Sequence, residues 1–234
     1  MAIADLRREY NLAGLRRADL DPDPLAQFRK WFDQQTGLRF SGRLRRTLIR
    51  IYKRFLLLTG AEPFDANAMT LSTVDEQGRP SSRIVLLKGI DPRGFIFFTN
   101  YESRKGRELS GNRNASLVFY WADQERQVCI AGETEKLPAT ESAAYFHSRP
   151  RGSQIGAWAS IQSSVVQDRV ALEHRWKEFE SKYPREIPMP QHWGGFVLRP
   201  LRIEFWQGRP NRLHDRFCYI RTESGLWKID RLSP

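Results

Sequence analysis

A chain of 234 residues with 40% hydrophobic and 12% aromatic content is long enough for one large domain with a core of its own. Its formal net charge of +11 points to anionic ligands, anionic surfaces or nucleic acid without choosing among them. Composition excludes a disulfide scaffold, because Cys129 and Cys218 each sit inside an apolar run, and the four histidines have no Cys or carboxylate neighbours at zinc-ligand spacing, so no metal site is expected.

The N-terminal MAIADLRREY lacks the apolar stretch of a signal peptide, and no apolar run approaches the ~20 residues of a membrane span. A cytoplasmic location without a membrane partner is the expectation. The run at 7 to 10 reads as a mobile arm or an unstructured tail. A helix is predicted over 24 to 34, carrying Leu25, Phe28, Trp31 and Phe32, with Asp23 as its cap and Pro24 in its first turn. Over 38 to 60, Leu44, Leu48, Ile51, Phe55 and Leu58 make an apolar helical stripe opposite Arg43, Arg46, Arg50 and Lys53, a packing face with a solvated basic side.

From residue 68 the pattern changes to strands, predicted at 68 to 74, 83 to 90, 95 to 100, 115 to 121 and 126 to 137 with turn residues between them. Helices follow at 139 to 147 and 167 to 182, the second with Val170, Leu172, Trp176 and Phe179 inward; the stretch 151 to 162 is mixed. The chain closes with strands around 195 to 205, 216 to 221 and 226 to 229. Many short strands with few helices argue for a mainly β (α+β) fold, a closed or split antiparallel barrel. No repeat or long linker divides it, so 1 to 60 reads as an arm with helices packing on a single domain formed by 61 to 234.

Four stretches carry side chains suited to anions. In RIVLLK at 83 to 88, the apolar centre reads as a strand buried on both faces, and its ends, Arg83 and Lys88, could hold a phosphate or could mark the strand ends in water. TNYESRKG at 99 to 106 places Thr99, Ser103, Arg104 and Lys105 after a strand, as a phosphate loop or simply a polar one. The stretch 145 to 164 gathers Tyr145, Arg149, Ser153, Gln162 and Ser163 around an apolar Ile155 and Trp158; hydroxyls, a guanidinium and amides in that mixture suit a phosphate. Finally IEFWQGRPNRLHDR at 203 to 216 reads as strand, turn and second strand, with Arg212, His214 and Arg216 at alternate positions on one face; a solvated hairpin edge explains that pattern too.

Taken together, RIVLLK, SRK at 103 to 105, ERQV at 125 to 128, YFHSRPRGSQIGAW, QSS at 162 to 164, WGGF, IEFWQG, RLHDRF and the closing WKIDRLSP resemble, in order and spacing, the pyridoxine/pyridoxamine 5'-phosphate oxidase family from 68 to 234. The resemblance implies an FMN-binding split barrel and a homodimer with FMN at the subunit interface. It implies FMN contacts from Arg83, Ile84, Val85, Leu86, Leu87, Lys88, Phe98, Thr99, Arg104, Lys105, Gln127, Gln162, Ser163, Trp206 and Arg216. The substrate phosphate would meet Lys88, Tyr145, Arg149 and Ser153; Arg212 and His214 would face the pyridine ring as the catalytic pair, with His214 a candidate proton acceptor; Arg7 and Tyr10 would form a lid. The implied reaction oxidises pyridoxine 5'-phosphate or pyridoxamine 5'-phosphate to pyridoxal 5'-phosphate, with O2 as electron acceptor, giving hydrogen peroxide and, from the amine, ammonia. A flavin reductase of the same fold acting on another ring, or a basic nucleic-acid-binding protein, are the alternatives. From the charge pattern, Arg16, Arg17 and Arg231 could form a second anion site.

Overall fold

A computed structural model describes residues 9–12, 14–36 and 65–234. The helix expected within 38 to 60, and Arg7 of the expected lid, lie outside the described residues. The strands are β1 (Ala68–Val74), β2 (Pro80–Leu86), β3 (Gly89–Asp91), β4 (Gly94–Asn100), β5 (Asn114–Trp121), β6 (Arg126–Lys136), β7 (Trp193–Gln207), β8 (Asp215–Arg221) and β9 (Trp227–Leu232). They hydrogen-bond in the order β2-β1-β5-β6-β7-β4-β3, with β8 pairing with both β7 and β9. The helices among the described residues are α1 (Pro24–Gln35), α2 (Arg104–Gly111), α3 (Ala139–Ser148), α4 (Arg151–Ala159) and α5 (Arg169–Lys182). The fold is therefore mainly antiparallel β with accessory helices, as the strand-rich sequence implies. No helix of the described residues is long and apolar enough to cross a membrane.

The chain divides into two compact units, one formed by Met1–Met69, Val118–Ile130 and Arg202–Pro234, the other by Thr70–Leu117 and Ala131–Leu201. In the first, the Asp23 carboxylate caps α1 by accepting from the Leu25 and Ala26 amides, at 3.0 and 3.3 Å. Leu25, Phe28 and Trp31 fall at helical spacing and are buried. Phe28 meets Phe119 and Trp121, and Trp31 meets Phe205 edge to face at 5.1 Å. Burying a side chain such as Phe28 contributes about 2 kcal/mol, so this face decides where α1 sits. Strands β7 and β8 pair in a register that sets Glu204 opposite Cys218 and Trp206 opposite Arg216. Both cysteines are free; Cys218 is buried as expected, whereas Cys129 is half-buried.

In the second unit β4 pairs with β7, with Phe98 opposite Gly195 and Thr99 opposite Gly194. Several sequence expectations change here. The single strand expected at 83 to 90 is two, broken at Leu87 and Lys88. Double burial of its centre is also corrected: Ile84 is 64% and Leu86 37% exposed, while Ser81, Arg83 and Val85 take the half-buried face. Helix α2 replaces the expected polar loop because Ser103 Oγ caps it, accepting from the Gly106 amide, and only Leu109 supplied an apolar signal. Helix α4 was masked by Gly152 and Gly156, although Ile155 and Ala159 are buried at i, i+4 spacing. Helix α5 starts two residues later than expected, where Asp168 accepts from the Ala171 amide. Its Val170 is 70% exposed rather than inward; Leu172, Trp176 and Phe179 are half-buried.

Candidate functional site

The second unit holds a cavity of about 610 Å³. Ile84, Val85 and Leu86 form one wall; Lys88, Phe98, Thr99, Lys105, Tyr145, Arg149, Ser153, Gln162 and Trp193 complete its chemistry. Eleven residues singled out from the sequence thus meet around one space. Its aromatic side is a stack: the Phe98 ring lies 3.9 Å from that of Tyr145 and 5.5 Å from that of Trp193, each nearly parallel. Gly195 makes this possible, since a Cβ there would come within 2.8 Å of the Phe98 ring and 2.5 Å of Leu137. That is the physical content of the second glycine in WGGF.

Arg149 follows α3 and lays its guanidinium over the Trp193 ring at 4.7 Å. Its Nη1 is buried and has no hydrogen-bond partner. Burial lowers its pKa while the neighbouring Tyr145 raises it, and the Tyr145 hydroxyl is raised in turn by its own burial. Ser153 belongs to the first turn of α4, where the helix dipole favours an anion. Lys105, 7% exposed, donates from Nζ to Thr99 Oγ1 and Gln162 Oε1, each at 3.1 Å, and to Ser103 Oγ at 3.2 Å. Burial and the charge of Arg83 pull its pKa down to about 8, against the opposing pull of Glu108. The cavity therefore combines an apolar wall, an aromatic stack and cations whose charge is poorly compensated. Such a set accommodates a planar ring bearing a phosphate.

Arg83, Leu87, Arg104 and Ser163 do not line it. Arg83 and Arg104 converge instead on Glu108, which sequence reading missed, although its i, i+4 spacing from Arg104 is a helical ion-pair signal. Glu108 Oε2 accepts from Thr73, Ser81 and Arg83, and Oε1 from Arg104 at 2.8 Å. Leu87 is buried. Ser163 adopts a left-handed backbone, with φ of 72°, beside the cavity residue Gln162.

The first unit gathers a second group. Arg212, His214 and Arg216 do not share a strand face, contrary to expectation. A 3-10 turn covers Pro210–Arg212, with Asn211 and Arg212 both left-handed, and β8 begins only at Asp215. Pro210 and Asn211 explain the turn, since proline presets one dihedral and asparagine tolerates the left-handed region. His214 packs on Trp206 at 4.6 Å, and Tyr10 stands edge-on to both rings at 5.4 and 5.5 Å. The Arg209 amide donates to His214 Nδ1 at 3.1 Å, so the neutral imidazole carries its proton on Nε2. In this arrangement His214 presents an N–H at Nε2. Burial and Arg212 lower its pKa, which favours this neutral form. Arg216 is tied to Glu204 at 2.8 Å, and Gln127 donates to Cys129 Sγ at 3.2 Å. Arg16 and Arg231 pair with Asp19 and Asp215, and Arg17 donates to the Ile229 carbonyl.

Two family profiles account for most of the chain: one described as pyridoxamine 5'-phosphate oxidase matches residues 61–183, and the pyridoxine 5'-phosphate oxidase C-terminal dimerisation region matches residues 193–234. The chain belongs to the pyridoxine/pyridoxamine 5'-phosphate oxidase family. Members of this family are oxidoreductases, and two bacterial members are similar along their whole length. The pyridoxine/pyridoxamine 5'-phosphate oxidase of Nostoc punctiforme is 52% identical over 99% of this chain and 98% of its own. That of Paraburkholderia phymatum is 51% identical over 99% of both. Among solved structures, PhzG from Burkholderia lata in complex with tetrahydrophenazine-1-carboxylic acid is 32% identical with a TM-score of 0.70, over 80% of this chain and 91% of that one. A pyridoxamine 5'-phosphate oxidase-related, FMN-binding protein of Nostoc punctiforme, at 17% identity and a TM-score of 0.61, covers 83% of this chain and all of its own, and shares the fold. The architecture is the split antiparallel barrel that the oxidase family motifs imply.

Proposed function

We propose that this family member oxidises pyridoxine 5'-phosphate and pyridoxamine 5'-phosphate to pyridoxal 5'-phosphate with FMN as cofactor and O2 as electron acceptor. The observation that carries the reading is the buried, unpartnered Nη1 of Arg149 in the wall of a cavity that also presents Lys88, Tyr145 and Ser153. A buried guanidinium nitrogen without a partner is costly, and a phosphate oxygen satisfies it with a charge-assisted hydrogen bond. These four residues take the substrate's phosphate.

The exposed apolar surface of Ile84 and Leu86, together with Val85, Phe98, Thr99 and Gln162, fits an FMN ring and its polar edge, and Lys105 meets the FMN phosphate. Arg83, Leu87, Lys88, Arg104, Gln127, Ser163, Trp206 and Arg216 are the further FMN contacts that the family motifs imply. Bound FMN supplies the acceptor for a hydride from the substrate's C4' carbon, and O2 regenerates it with release of hydrogen peroxide. Arg212 and His214 orient the pyridine ring, His214 as an Nε2–H donor; Tyr10, with Arg7, covers it. The amine substrate gives an imine whose hydrolysis releases ammonia. The match of residues 193–234 to a dimerisation region supports a homodimer, and FMN would lie at its interface as the family motifs imply.

An aerobic assay tests this: the FMN-loaded protein is given each substrate separately, and aldehyde and hydrogen peroxide are measured together. Equal yields of the two products are expected. Bound FMN without turnover of either substrate would sink the oxidase reading in favour of another ring substrate, a reading that the likeness to PhzG keeps open. FMN affinity should also depend on Lys105. Its protonated form prevails below about pH 8, so affinity for the phosphate should weaken as pH rises through 8, by up to about tenfold per pH unit. Flavin-fluorescence titrations of the wild type and Lys105→Met check this; a wild-type profile as flat as the variant's would remove Lys105 from the phosphate site.

A further inference from the structure

The catalytic pair and the lid residue Tyr10 are held together by two carboxylates that none of this chemistry uses. Glu125 is 5% exposed and ends a 3-10 turn in a left-handed backbone, with φ of 53°. Its Oε2 accepts from the amides of Asn11 and Leu12, both at 3.1 Å. Its carbonyl accepts from the Gly208 amide at 2.8 Å, at the end of β7. Glu125 therefore joins the N-terminal arm, through its side chain, to the loop that carries Arg209 to His214, through its backbone.

Asp215 makes the second link. It is 7% exposed, directly follows His214, and its Oδ2 accepts from the Leu15 amide at 3.0 Å. Arg209 lies 3.6 Å from the same oxygen and donates from Nη1 to the Leu12 carbonyl at 3.3 Å, while Arg231 pairs with Oδ1. Tyr10 projects just ahead of these anchors, onto His214 and Trp206. The fit is close: a Cβ on Gly208 would stand 2.6 Å from the Tyr10 ring.

We propose that Glu125 and Asp215 are positioning residues that dock residues 10–12, 14 and 15 on the catalytic loop, and so fix Tyr10 against His214 and Trp206. This rests on the reading of His214 and Tyr10 as substrate-facing. The physical argument is entropic. Leu15 is the one large apolar side chain that the described arm residues bury, so the arm stays docked only if directional bonds help offset the cost of ordering it, and backbone amides donating to buried carboxylates are among the stronger ones available. Glu125 sets the arm's height above the loop and Asp215 sets its far end, which leaves Tyr10 one position. Neither carboxylate touches the reacting atoms on this account. Their effect belongs in substrate binding rather than in the chemical step.

The test uses the full-length, FMN-loaded protein and three variants, Glu125→Ala, Glu125→Gln and Gly208→Ala. Two quantities are read: hydrogen exchange at the amides of residues 11, 12 and 15 relative to core strand amides, and the division of any activity loss between KM and kcat. Glu125→Ala should raise exchange at residues 11 and 12 by about tenfold or more with core amides unchanged, and raise KM several-fold with kcat within about twofold. Glu125→Gln, which keeps the shape and loses the charge, should lie between it and the wild type. Gly208→Ala keeps both carboxylates, but its Cβ would stand 2.6 Å from the Tyr10 ring and 3.0 Å from the Glu125 Cβ, so it crowds the docked arm from the loop side and the same rise in KM is expected. Glu125→Gln decides the matter if Glu125→Ala proves unstable throughout. Unchanged exchange in the Glu125 variants would overturn the docking, whatever the reaction. Faster exchange without a change in KM would overturn the link to Tyr10. A wild type that turns over neither substrate would instead count against the oxidase reading, with the exchange measurement still deciding the docking.

Discussion

Replacing Arg149 with methionine should lower kcat/KM for both phosphorylated substrates by roughly 100-fold, mostly through KM. A hydrogen bond to a charged group is worth about 1.5 to 3 kcal/mol, and 1.4 kcal/mol is a factor of ten. The guanidinium that would be lost is anchored on the Trp193 ring with its Nη1 buried and unpartnered, so its alignment costs little on binding. Methionine fills the same slot against the aromatic stack and keeps the cavity wall. Lysine should recover only part of the loss, because an ammonium is a point charge without the planar face that stacks on tryptophan. Steady-state kinetics with the phosphorylated substrate and its unphosphorylated alcohol separate the effects: only the former should suffer. Full efficiency in Arg149→Met would remove the phosphate from this part of the cavity.

Removing Glu108 should produce the largest loss of stability. Its side chain is 6% exposed and that of Arg83 20%, so Glu108→Ala leaves a largely buried guanidinium without its carboxylate. Breaking such a pair costs about 3 to 5 kcal/mol; the lower end applies, because Arg83 also donates to Thr73, Ser81 and the Leu71 carbonyl. Urea unfolding of the apoprotein measures it, and Glu108→Gln should fall between the alanine variant and the wild type. The same network has a pH signature. Burial pushes the Glu108 carboxyl up, but hydrogen bonds from Thr73, Ser81 and Arg104 and the charge of Arg83 outweigh it and hold the pKa at about 2. A depressed carboxylate stabilises fully above its unfolded value of 4.5 and loses that contribution as pH falls toward 2. The acid limb of the wild-type stability curve should therefore be steeper than that of Glu108→Gln. Parallel curves would show that Glu108 contributes no charge-dependent stability.

Strand β1 coincides with the alternating stretch read from the sequence, because its Met69, Leu71 and Thr73 face one side and its neighbours the other. The start of α1 was equally legible, since Asp23 and Pro24 act on the helix they adjoin. Eleven of the residues named from family motifs line one cavity, although no periodicity of their own announces it. The failures share a cause. Nothing local distinguishes the exposed Ile84 and Leu86 from buried strand residues, and the α2 helix hid in a polar run because its cap is a single serine.

The sequence by itself determined the elements whose forces act over a few residues: alternation, caps, turn chemistry and the order of the motifs. It also determined the residue types able to bind a phosphate and a planar ring. Only the tertiary structure decided which of those residues face a cavity and which are already paired with a carboxylate. Arg83 and Arg104 meet Glu108, Arg216 meets Glu204, and Arg149 alone of these keeps a buried nitrogen without a partner. The Arg209 amide, five residues away, decides the tautomer of His214, and Glu125 accepts from the Asn11 amide, 114 residues before it in the chain. The physical reason is that a side chain's charge and hydrogen-bonding capacity are local properties. Whether that capacity is already satisfied depends on partners that the chain brings together only when it folds.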